Sequence, residues 1–102
     1  MKSFKNDKER TVFLRDYRNT ENGWYKWKED EDLTRQWWRF DYDDGSFIIE
    51  EQLQTYHYPN PHTEWSIIHW YIIKHENWLF ADQVASFTQA LQELKRWEKS
   101  SM

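Results

Sequence analysis

Across residues 36–74, apolar and polar side chains alternate in three runs, Gln36–Tyr42, Phe47–Tyr56 and Trp65–Lys74, each rich in aromatic and β-branched residues. A period of two sends successive side chains to opposite faces of a strand, so these runs predict half-buried β-strands. Two shorter runs, Thr11–Tyr17 and Trp24–Lys28, precede them. The breaks carry turn chemistry: Asn22-Gly23, Asp43-Asp44-Gly45-Ser46 and Tyr58-Pro59-Asn60-Pro61. Asn-Gly and Asp-Gly supply the positive φ of tight hairpin turns. The run 11–17 reads two ways, because Asn6 or Asp7 could cap a helix reaching Tyr17; the strand is the preferred reading.

Past residue 82 the period changes. Val84, Phe87, Leu91 and Leu94 recur at spacings of three and four, flanked by Ala90 and Trp97, which predicts a helix over about 82–98. Asp82 is the candidate N-cap, Ser86 with Gln89 an alternative capping box, and Lys95, Arg96 and Lys99 oppose the helix dipole in the last turn. The expected fold is α+β: a four- to five-stranded antiparallel meander, with strands at about 11–17, 24–28, 36–42, 47–56 and 65–74, and one C-terminal helix packed on one face. A single domain spanning 1–102 accommodates it.

Turn chemistry also sets a register. With Asp44-Gly45 as a two-residue turn, Tyr42 faces Phe47, Phe40 faces Ile49, Arg39 faces Glu50 and Trp38 faces Glu51. A Pro59–His62 loop sets Leu53 against Ile68, Glu51 against Trp70 and Ile49 against Ile72. One face then carries Trp38, Phe40, Tyr42, Phe47, Ile49, Leu53, Ile68, Trp70 and Ile72, the core that the helix stripe should cover. The second carries Glu50, Gln52 and Gln54 among Arg35, Trp37, Arg39, Ile48, Ile67, His69, Tyr71 and Ile73. A face left in water should be polar, and this one is not. Those last eight residues are therefore the candidate partner-binding set, rich in the types that populate interface centres.

Composition narrows the chemistry. Aromatics reach 20%, with eight tryptophans, while glycine and proline number two each, so strands are long and bends few. No cysteine is present, which excludes disulfides and thiolate metal sites and suits a reducing, cytoplasmic setting. No apolar stretch is long enough for a membrane span, and the N-terminus lacks a signal-peptide pattern. The net charge of −4 is uneven: residues 1–28 are basic, whereas 29–51 hold nine acidic side chains against two basic. Within the latter, Glu29, Asp30, Glu31 and Asp32 form a candidate acidic patch for a basic partner.

No catalytic motif emerges, so no enzyme is expected, nor any cofactor or metal. His57, His62, His69 and His75 lack metal-ligand spacing. The Asp41–Gly45 run would place Phe40 and Tyr42 at ligand positions of a calcium loop, where they cannot ligate. With so few glycines, no glycine-built phosphate cradle exists. Glu51 is the one odd carboxylate: on this register it lies between Trp38 and Trp70, either as an acid kept from ionising by its apolar walls, in which case Glu51→Gln is tolerated, or as a structural group bonded to an indole N–H. The expected function is a non-enzymatic binding module that uses its second sheet face for self-association, as a homodimer, or for a protein partner. Single-stranded nucleic acid on the same face is an alternative disfavoured by net charge, and acidic inhibition of a basic partner is another.

Overall fold

The first described element is a helix, not a strand. In the computed structural model, which describes residues 4–41, 45–74, 81–84 and 86–100 (the side chains of 81, 82 and 97–100 excepted), α1 spans Asp7–Arg15. Asn6 caps it, its side chain accepting from the Glu9 backbone N–H at 2.9 Å, while Glu9 accepts from the Lys5 N–H at 3.0 Å. These local bonds decide the ambiguity of residues 11–17 against the strand. Phe13 and Leu14 on α1, with Tyr17 just past its end, then share one buried side. A 3-10 turn, Thr20–Asn22, follows, and Gly23 closes it at φ +100, a left-handed conformation natural to glycine. Asn22-Gly23 is thus a helical stop and not a hairpin turn.

Five strands form one antiparallel meander: β1 Tyr25–Glu29, β2 Arg35–Asp41, β3 Ser46–Tyr56, β4 His62–Ile73 and β5 Ala81–Val84, in sheet order β1-β2-β3-β4-β5. The fifth strand is therefore β5 and not residues 11–17. It also takes the predicted start of the C-terminal helix, so Asp82 lies in a strand, and α2 runs Phe87–Ser100. Ser86 is its cap instead, accepting from the Gln89 N–H at 3.2 Å.

Both hairpins depart from the expected register. β2 and β3 pair Phe40 with Phe47, Trp38 with Ile49 and Gln36 with Glu51, two residues from prediction, because the strands close at Asp41 and Ser46 and leave a longer connection than a two-residue turn. An even displacement preserves parity, so both faces keep their side chains. Tyr42 and the Asp43-Asp44 pair lie outside the described residues, as do His75 and the Trp97 side chain. Gly45 is present for space: a Cβ there would stand 2.2 Å from the Ile73 carbonyl oxygen. In β3–β4, Ile49 pairs with Trp70 and Phe47 with Ile72, but the register shifts at Ile68, an unpaired extra residue between the Glu50–His69 and Glu51–Ile67 pairs. Beyond this bulge Leu53 meets Trp65, not Ile68, and parity along β4 reverses.

The helices lie side by side on one sheet face, tied by a Lys95–Asp7 ion pair at 3.1 Å and by the Arg15 guanidinium over the Phe87 ring. Between them and the sheet sits an aromatic cluster. Phe13 meets Phe40 edge-on at 4.7 Å, Tyr17 meets Trp38 at 6.0 Å, and Trp24 packs on both Phe13 and Phe40. Leu94, Ala90 and Val84 complete the core with Ile49 and Ile72, and Phe87 and Leu91 pack partly buried against it. The sequence predicts that the C-terminal helix covers this face alone; α1 shares it.

Candidate functional site

The second face bears no helix among the described residues, and a bulge in β1 shapes it. Lys26 pairs with Trp38 and Lys28 with Trp37, leaving Trp27 as the extra residue. A bulge re-aims side chains, and here it lets Trp27 and Lys28 both border the same depression. The result is a recess of about 260 Å3 between these two residues, Trp37 and Tyr71, with Ile48, Glu50 and Ile73 also lining it. Ile48 and Ile73 retain only 2% and 7% exposure, so they are floor, not open surface. Trp27, at 38%, and Trp37 and Tyr71, half-buried, are the walls.

One carboxylate governs the electrostatics. The Glu50 side chain is 5% exposed, and its Oε1 accepts from His69 Nδ1 at 2.7 Å and the Tyr71 hydroxyl at 2.8 Å. Arg35 stands 3.7 Å from Oε2. Cations crowd the indoles: the Lys28 ammonium lies 4.6 Å from the Trp27 ring centre and 4.9 Å from that of Trp37, with the Arg39 guanidinium 5.0 Å over Trp27. Arg39 also pairs with Asp41 at 2.6 Å. Burial alone would raise the Asp41 carboxyl, but hydrogen bonds from Ser46, Tyr25 and Arg39 outweigh it and hold it below its usual range.

Of the sequence-assigned set, the structure gathers Trp37, Ile48, Tyr71 and Ile73 in the recess, with Arg35, Arg39 and His69 around it. Ile67 is not among them: past the β4 bulge it pairs with Glu51, in the row of the core face. Trp27 and Lys28 were missed, since a bulge has no signature in an alternating pattern. Glu50 enters the sequence reading only as the partner of Arg39 and as one of three polar residues on this face.

The acidic patch has local work. Asp30 accepts from the Thr34 and Arg35 N–H groups at 3.0 Å each, and Asp32 accepts from the Thr34 hydroxyl at 2.7 Å, building the β1–β2 turn with Leu33 at φ +60. Hydrogen bonds from Thr34 hold the Asp32 carboxyl below its usual range. Glu29 pairs with Gln36 in the ladder and approaches Lys26 at 3.8 Å, and Glu31 is exposed.

A second buried carboxylate lies on the core face. Glu51 has no exposed surface; its Oε1 accepts from Gln36 Nε2 at 2.7 Å and Trp38 Nε1 at 2.8 Å, its Oε2 from the Tyr17 hydroxyl and from Arg18 at 2.6 Å. The Trp38 indole is a neighbour as the sequence indicated, whereas Trp70 is paired with Ile49. This is the structural alternative, a carboxylate bonded to an indole N–H.

The two carboxylates mark two tyrosines. Burial, reinforced by the adjacent carboxylate, pushes the Tyr17 and Tyr71 hydroxyls up to about 12 each. An unperturbed tyrosine titrates near about 10. A folded-state value above the unfolded one contributes stability that is complete below about pH 10 and is lost as pH rises toward about 12. In a tyrosinate absorbance titration these two residues should contribute a late phase, and Tyr17→Phe and Tyr71→Phe should each remove part of it. A folded-state titration with no phase later than about pH 10 would contradict the geometry.

His62 Nδ1 lies 2.7 Å from the Asn60 carbonyl and its ring stacks on Tyr56. Among the described residues no group of three or more His, Asp or Glu side chains is arranged to hold a metal ion, and no helix is long and apolar enough to cross a membrane. No protein-family model, curated protein or solved structure matches the chain.

Proposed function

We propose that the chain is a non-enzymatic binding module whose second sheet face receives a projecting group from a protein partner. The observation that carries this reading is the recess, with indole and phenol walls and a floor already desolvated by Ile48 and Ile73. Concave sites with apolar walls and a few fixed polar groups are where binding energy concentrates. The concavity favours a protruding side chain over flat face-to-face packing, which would leave two opposed recesses unfilled. A cysteine-free chain suits the cytoplasm for this role.

Peptides selected on the wild-type protein from a displayed library provide the test. Trp37→Ala with Tyr71→Ala should weaken their binding by about 2–4 kcal/mol, with the circular dichroism of the fold retained. Undiminished binding would refute the reading. A concentration-dependent dimer in light scattering, lost in the same variant, would identify a second copy as the partner. Binding of a single-stranded oligonucleotide that collapses with salt would instead assign the face to nucleic acid.

A further inference from the structure

The geometry points to a cation as the group this recess accepts: an alkylammonium head, as carried by a lysine or methylated lysine of the partner, held between Trp27 and Trp37 with Glu50 as counter-charge. The inference rests on the partner reading above and specifies its chemistry.

Three features support it. The two indoles already attract positive charge: the Lys28 ammonium lies over both rings at 4.6 and 4.9 Å, and the Arg39 guanidinium lies 5.0 Å over Trp27. Lys28 has no carboxylate within ion-pair distance among the described residues, so the ring faces are the attraction. The negative face of an indole is the best side-chain surface for a cation, and methylation improves the match by lowering the cost of leaving water.

Glu50 supplies the second feature. Its Oε1 is saturated by His69 and Tyr71, while its Oε2 accepts no hydrogen bond among the described residues and meets only the Arg35 guanidinium, at 3.7 Å. A neutral group sealing the recess would strip water from that oxygen without replacing it, and an anion would meet it with like charge. A cation compensates it more closely than the half-exposed Arg35 guanidinium does at 3.7 Å.

Third, the resident ammonium is a competitor. Lys28 is on an exposed edge strand, so its side chain can swing away when a ligand cation enters. Removing it should therefore tighten binding, the opposite of what an anion-binding lysine would show.

The probe is Nα-acetyl-trimethyllysine amide, compared with its neutral tert-butyl isostere and read by tryptophan fluorescence and indole N–H shifts in NMR. The wild-type protein should prefer the cation by about tenfold or more. Lys28→Met should strengthen the cation several-fold, and Glu50→Gln should erase much of the preference. Trp27→Leu, at an exposed position outside the buried core cluster, should abolish the preference even if Glu50→Gln fails to fold. Equal binding of cation and isostere, or unchanged or weaker cation binding in Lys28→Met, overturns the inference. If that happens while library peptides still depend on Trp37 and Tyr71, the partner reading stands without the cation. If peptide binding is also indifferent to those two residues, both fall.

Discussion

Glu51→Gln should destabilise the fold by on the order of 3 kcal/mol, the scale of a buried charge pair broken on one side. The carboxylate offers two oxygens to four donors, Gln36 and Trp38 on one, Tyr17 and Arg18 on the other. An amide has one oxygen. Whichever way the new amide is turned, its NH2 faces one group that can only donate, the Trp38 indole N–H in one orientation and the Arg18 guanidinium in the other. Arg18 is half exposed and can re-solvate its charge, which keeps the loss from running higher. Urea denaturation at neutral pH reads the effect, and a loss under about 1 kcal/mol would mean the four-donor geometry does not form in solution. The sequence-level alternative, tolerance of Glu51→Gln, assumed apolar walls around a neutral acid. The structure instead supplies donors, two of them from the segment after α1, which the strand reading of residues 11–17 placed elsewhere.

The other large effect lies on α2. Leu94→Ala should cost about 2–5 kcal/mol, the range for a buried leucine whose cavity cannot fully collapse. Leu94 has no exposed surface and packs within the cluster of Phe47, Ile49 and Ile72, whereas Leu91, central in the helical stripe by spacing, is only partly buried. Leu91→Ala should therefore cost less than Leu94→Ala, and Val12→Ala, at 53% exposure on α1, within about 0.5 kcal/mol of nothing. Thermal or denaturant unfolding ranks the three. The order Leu91 above Leu94 would show α2 rotated about its axis from the arrangement described.

What the sequence made legible was parity. Trp38, Phe40, Phe47 and Ile49 fall on one face and Trp37, Arg39, Ile48 and Glu50 on the other under any even register shift, so the two-residue error in the β2–β3 hairpin left the face assignment intact. Bulges break parity, and they were invisible: the one at Trp27 added a wall to the recess, and the one at Ile68 took Ile67 out of it. Helix α1 was masked because the β-branched and aromatic run Thr11–Tyr17 also suits a strand, and the Asn6 and Glu9 cap bonds favour the helix. The Asp30 and Asp32 carboxylates looked like free charge because backbone acceptors in a turn leave no trace in composition.

Glu50 and Glu51 are consecutive, and each is buried against donors that suit only its own side of the sheet: His69 and Tyr71 for one, Tyr17, Arg18, Gln36 and Trp38 for the other. Inserting or deleting a single residue in β3 ahead of Glu50 would exchange the two carboxylates' faces along with every side chain beyond the lesion. Neither position can absorb that exchange through solvent. The pair thus functions as a frame lock, and a scan of single-residue insertions along the chain should find β3 the least forgiving stretch around this pair, while the exposed connection at 57–61 accepts added residues readily.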